Sequence, residues 1–177
     1  MAINAKLITE KDTYGQIELN QVAFRRDGRI VAQYPLANGI EYVENGMLLG
    51  VDYVNKTIKY PDGTLPVALN YTTEHMYDER FAHGLKHFKL DKGTFCPRLG
   101  ILAAGDKFTT NAVCYDNATS VLDSIGTSTV VYGKACTTEG FKGYIELTTT
   151  KPTGTVLQAI EKTKMPDRSD AIKFVVL

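Results

Sequence analysis

The sequence predicts a mainly β chain: a small β-barrel or sandwich domain with an N-terminal extended hairpin arm and at most one short helix. Three observations predict it. Short apolar runs rich in Val, Ile, Thr, Tyr and Phe recur along the chain, and these residues fit a pleated, half-buried surface. Glycine (15) and proline (6) interrupt the runs at close intervals, as turns between strands require. The last stretch, AIKFVVL, is too apolar for a bare sheet edge and must be paired on both sides.

The elements follow in chain order. In QVAFRRDGRIVAQYPL, Val22 and Phe24 alternate on one side, Asp27-Gly28 supplies a turn, and Ile30, Ala32 and Tyr34 alternate afterward, which reads as a hairpin. Ile17 and Leu19 are out of phase with Val22 and Phe24, so the strand bends or bulges at Asn20-Gln21. Turn dipeptides at Asn38-Gly39, Asn45-Gly46 and Asp62-Gly63 then separate short runs such as MLLGVDYV and TIKY. TTEHMYDERFAHGLKHF breaks the alternation. Met76, Phe81, Leu85 and Phe88 fit a helical period, although Gly84 weakens any helix there. After it FCPRLGILAA, KFTTNAVCYD, STVVYGKACT and GYIELTTT return to strand composition. The most secure pair is the final one, Val156 to Lys164, the loop MPDRSD, and Ala171 to Leu177. The natural division is residues 1–40 as arm and hairpin and residues 41–177 as the β-rich domain.

Composition narrows the function. With 177 residues, 44% of them hydrophobic, the chain builds one main domain with a real core. Twenty basic residues balance twenty acidic ones, leaving no excess positive field for phosphates, so nucleic acid is a poor partner. No run of about eighteen apolar residues spans a bilayer and no signal peptide opens the chain, so it reads as a soluble protein made in a cytoplasm. Cys96, Cys114 and Cys136 form no CxxC pair and read as reduced, buried small hydrophobes.

Candidate sites were weighed against plainer roles. His83 and His87 have the i, i+4 spacing of a zinc site and His75 lies nearby, but HGLKH lacks the glutamate of HExxH, so no metal is expected. The four serines, Ser120, Ser124, Ser128 and Ser169, sit beside no histidine, and adjacent Asp78 and Glu79 make a poor acid/base pair. Neither catalytic residues nor a cofactor are expected. Phe24, Arg25, Arg26, Arg29 and Tyr34 combine arginine with aromatics, a composition favoured at protein interfaces, and they form the candidate partner contact. In GDKFTTN, Gly105-Asp106 is expected to turn the chain, Phe108 to point inward, and Thr109, Thr110 and Asn111 to satisfy backbone groups.

ENGMLLGVDYV, TTEHMYDER, LKHFKLDKGTFCPRLGILAAGDKFTTNAV and the ending KMPDRSDAIKFVVL, taken together over residues 41–177, resemble the head decoration (capsid cement) proteins of tailed bacteriophages. The resemblance is most specific from Phe95 through Asn111 and at Met165-Pro166-Asp167. It implies a structural, non-enzymatic virion protein on the capsid surface, synthesised in the host cytoplasm, that binds the major capsid protein, bridges its subunits and self-associates as a homo-oligomer. The alternatives are another virion binding module, a head-fibre base or tail component contacting the host surface, and a small metal-dependent enzyme built on the histidines.

Overall fold

The computed structural model describes residues 5–9, 11–18, 21–23, 30–31, 34–72, 84–96, 98–117 and 121–177. It is mainly β, as the sequence predicts, with no α-helix among the described residues; 3₁₀ turns occur at Gly84–His87 and Val121–Ser124. Of the helical period expected over residues 72–88, residues 73–83 lie outside the described residues and the end forms the Gly84–His87 3₁₀ turn.

The chain's organising element is one stretch of backbone, residues 107–116. Its first half is β11 (Lys107–Thr110) and its second half is β12 (Val113–Asp116). β11 pairs antiparallel with the final strand β16 (Asp170–Val176), which pairs in turn with β15 (Leu157–Lys164). β12 pairs in parallel with β14 (Ile145–Thr148), which pairs with β13 (Val131–Ala135), and β13 returns to β15. With the edge strand β1 (Ala5–Leu7) on β12, the order is β1-β12-β14-β13-β15-β16-β11. Five strand spacings separate β12 from β11 in that order, about 24 Å in a flat sheet. Yet Thr110 and Val113 are three residues apart, a reach of at most about 11 Å. The seven-stranded sheet is therefore curled, and the covalent corner at Asn111-Ala112, with no ladder between β11 and β12, brings its ends together.

The N-terminal chain runs along the outer side of this bent strand. Leu7 lies opposite Cys114, Ile17 opposite Thr110 and Ala23 opposite Lys107. The register between the last two pairs shifts where Gln21 N–H turns back to the Glu18 carbonyl at 3.0 Å, which is the bulge the phase change in the sequence implies.

A second, five-stranded sheet takes the order β2-β10-β7-β5-β6, with β2 Ile30–Val31, β5 Leu48–Asp52, β6 Thr57–Lys59, β7 Val67–Asn70 and β10 Leu99–Ile101. β3 (Tyr34–Pro35) pairs with β9 (Phe95–Cys96) as a separate two-stranded sheet, in the same register that joins β2 to β10. Leu36 then bridges to Ile58 and curls the five-stranded sheet too. The ladder between β4 (Tyr42–Val43) and β8 (Leu90–Asp91) extends the layer.

Two cores form, and each draws on both sheets, Leu48 and Leu69 joining the first and Cys114 the second. Phe108, Ile145, Leu157 and Phe174 fill the first, with the Phe108 and Phe174 rings 5.6 Å apart. Leu36, Val43, Leu49, Val51, Ile58 and Leu99 fill the second. Residues 1–40, expected to stand as a hairpin arm, contribute Ile17 to one core and Leu36 and Ile40 to the other. Ala23 bridges to Lys107 and Ile30–Val31 pair with β10, while the hairpin turn expected at Asp27-Gly28 lies outside the described residues. The final hairpin forms as expected, with β16 flanked on both sides.

Two turn glycines separate backbone freedom from packing. Gly46 and Gly63 both have φ of +84°, but a Cβ on Gly46 would sit 1.9 Å from Thr110 Oγ1, whereas one on Gly63 meets nothing within 4 Å. Gly63→Ala should lose about 1 kcal/mol from the backbone alone. Gly46→Ala should lose about 3 kcal/mol or more, as overpacking is added. Urea unfolding of the two variants measures the difference, and equal losses would show that the Gly46–Thr110 approach is loose.

Candidate partner-binding surface

The residues most suggestive of chemistry hold the corner. Asp106 is fully buried and accepts a hydrogen bond from Ala103 N–H at 2.7 Å, closing the turn before β11. Phe108 points into the first core. Thr110 Oγ1 donates to the Gln16 carbonyl at 2.6 Å, Gln16 N–H donates to Asn111 Oδ1, and Asn111 N–H returns to the Gln16 carbonyl at 3.3 Å. Asn111 Nδ2 faces Ser169 Oγ at 3.4 Å, and Gln16 Nε2 donates to Asp167 Oδ2 at 2.9 Å. The GDKFTTN tract and the MPDRSD turn thus meet on the same glutamine.

A second buried polar group, unmarked in the sequence, joins the two sheets. Glu44 is 2% exposed, and its carboxylate accepts from Gly15 N–H and from the Tyr144 hydroxyl. Its carbonyl accepts from Asn70 Nδ2 at 2.8 Å. Burial pushes the Glu44 carboxyl up, against the hydrogen bonds from Tyr144 and Gly15 and the charge of Lys89, which pull it down. Burial, then the charge of Glu44, raises the Tyr144 phenol as well. Lys89 lies over the rings of Tyr42 and Tyr14, at 5.1 and 5.5 Å from their centroids.

Two grooves among the described residues, of about 550 and 560 Å³, are lined by residues other than Glu44, Tyr144, Asp106 and Asn111. Among the described residues no three His, Cys, Asp or Glu side chains gather to hold a metal ion. His87 is exposed on the Gly84–His87 turn, while His75 and His83 lie outside the described residues. The three cysteines are free and buried, and burial raises the Cys96 thiol to about 12. No helix among the described residues is long and apolar enough to cross a membrane.

What the surface does offer is an apolar ridge. Phe24, Arg25, Arg26 and Arg29 of the expected contact lie outside the described residues, but Tyr34 is described. It is half-buried on β3, and its ring meets Tyr53 edge-on at 6.3 Å. Tyr53 is 51% exposed and Val54 90%, whereas Phe95, 56% exposed, pairs with Pro35 on the face of the β3–β9 ladder opposite to Tyr34. Exposed apolar side chains grouped in this way mark interaction surfaces more often than scattered ones do. The tip is held rigid by Asp52, whose Oδ1 accepts from Val54 N–H at 3.1 Å and Asn55 N–H at 2.9 Å. Its Oδ2 accepts from Asn55 Nδ2 at 2.8 Å and Lys59 Nζ at 2.6 Å. The hydrogen bonds from Asn55, then that from Lys59, hold the Asp52 carboxyl well below the usual carboxylate range. The ridge escapes sequence reading because its members are far apart in the chain; only DYVNKT, a turn carrying apolar residues at its tip, signals it.

Compared with family models, with curated proteins and with solved structures, the chain matches none. The class that the coordinates themselves define is a mainly β protein of two curled sheets carrying an exposed apolar ridge.

Glu44 and Asp52 predict opposite pH signatures. The raised Glu44 carboxyl contributes stability that is full below its unfolded value of about 4.3 and is lost as pH rises through its folded value. The advantage of wild type over Glu44→Gln should therefore shrink as pH rises. The lowered Asp52 carboxyl contributes stability above its unfolded value of about 3.9 that is lost as pH falls toward its folded value. The advantage of wild type over Asp52→Asn should shrink on acidification. Thermal melts of the three proteins across pH check both signs, and two pH-independent gaps would contradict them.

Proposed function

We propose that this chain is a structural virion protein of the head decoration type, which attaches to the outer surface of a phage capsid and stabilises it by bridging capsid subunits. The observation that carries the reading is the exposed Tyr53-Val54 tip packed on Tyr34, a pre-organised apolar contact on a turn fixed by Asp52. Pre-organisation supports such a role because a surface that needs no ordering on contact loses less entropy on binding. The resemblance of residues 41–177 to decoration proteins supports it from the sequence.

The physics is multivalency. Each copy contacts the major capsid protein weakly, and contacts shared over several subunits and with neighbouring copies of the chain favour the assembled shell over its pieces. The arginine-aromatic stretch of Phe24, Arg25, Arg26 and Arg29 is the proposed companion contact to the ridge. Tight shell binding needs no hydrolysis and no cofactor.

Val54→Asp should leave stability within about 0.5 kcal/mol, as exposed positions do. It should reduce co-sedimentation with emptied, expanded capsids by about tenfold or more, since a charge would be desolvated at the contact. Quantitative mass spectrometry of purified particles complements this with the ratio of this chain to the major capsid protein. A near-equal or simple fractional ratio is expected, and absence from particles would overturn the reading.

A further inference from the structure

The seven-stranded sheet ends in β1, and its free edge opens on the groove of about 550 Å³. Ile8 N–H donates to the Val113 carbonyl at 3.1 Å, and Lys6 lies opposite Tyr115. In the alternating antiparallel pattern, the backbone groups of Lys6 then face β12 while those of Ala5 and Leu7 point away from it. Among the described residues no second strand meets them. The groove has an apolar floor that includes Leu7, Leu122 and Ile172, and its opposite wall is the splayed end of the β15–β16 hairpin.

The rim is charged. Lys6, Lys162 and Lys164 stand on it with Asp123 and Asp170. Lys164 pairs with Asp170 at 2.6 Å and Lys162 with Asp123 at the longer distance of 3.6 Å. Each rim carboxylate is thus already matched, and Lys6 forms no ion pair among the described residues.

We propose that this groove receives an extended acidic segment of another protein, which adds to β1 as a new edge strand. Main-chain hydrogen bonds to Ala5 and Leu7 supply affinity, and alternate side chains meet the apolar floor and the lysine rim, as strand addition requires. A second copy of this chain is disfavoured, because pairing β1 with β1 across a two-fold axis would bring the two Lys6 charges, each without an ion pair among the described residues, to one interface. Lysine on an edge strand ordinarily discourages pairing with other edges, and here it selects the charge of the strand admitted.

The test uses the full chain and a labelled, acetylated and amidated octapeptide alternating valine with glutamate. Its counterparts carry lysine in place of glutamate, or N-methyl groups on alternate backbone nitrogens. Fluorescence anisotropy should show binding of the acidic peptide, about tenfold weaker binding of the N-methylated one, and none of the basic one. Ala5→Pro removes an outward N–H without touching the β1–β12 ladder, and with Lys6→Glu it should weaken acidic-peptide binding about tenfold while far-UV circular dichroism stays unchanged. Equal binding of acidic and basic peptides would overturn the proposal. So would undiminished binding of the N-methylated peptide, which would reduce the groove to a charge site and which remains readable if Ala5→Pro fails to fold. A dimer that forms without peptide and dissociates in Ala5→Pro would also overturn it, by making the occupant a second copy.

Discussion

One length of backbone has to serve two ladders. Residues 107–116 give β11 to β16 and β12 to β14, and between them the chain must turn at Asn111-Ala112 without leaving buried amides unpaired. A kink inside a packed sheet interrupts regular pairing, and an unpaired buried backbone group costs about as much as a lost hydrogen bond. Thr110 and Asn111 answer that requirement. Their side chains and the Asn111 amide bond the backbone of Gln16, and the Ala112 amide finds Thr110 Oγ1 at 3.0 Å. The curl of the first sheet and the path of the N-terminal chain follow from this corner.

The second sheet is fixed to the first through groups beside it. Gly46 lies so close to Thr110 that no side chain fits, and Glu44 reaches both Gly15 and Tyr144. A buried carboxylate with two donors and no ion-pair partner at bonding distance among the described residues is a costly link, better suited to fixing one arrangement than to adding stability. These polar residues are thereby committed to architecture. Among the described residues, apolar side chains and backbone groups face outward at the tip beside Tyr34 and at the edge of β1.

Local features were the legible ones. Asn45-Gly46 and Asp62-Gly63 form turns, the Ala171–Leu177 run is flanked by strands on both sides, and the phase change near Gln21 marks a real shift of register. Each depends on neighbours a few residues away. The places of Ile17 and Leu36 in the cores were not legible for the opposite reason: both have alternation that any half-buried strand shows, and nothing local says which distant strand they meet. Glu44 was silent because its side-chain partners lie 29 and 100 residues away. The ridge was half visible, with Tyr34 foreseen and Tyr53 and Val54 brought to it from elsewhere in the chain.

Amide hydrogen exchange across the corner tests the account most directly. If the bent strand and its clasp on Gln16 organise the molecule, the amides of Gly15, Gln16, Asn111 and Ala112 should exchange only through global unfolding, with the same protection as those of β15 and β16. Exchange of those four amides by local opening, well ahead of the β15–β16 hairpin, would show that the sheets hold together without the corner.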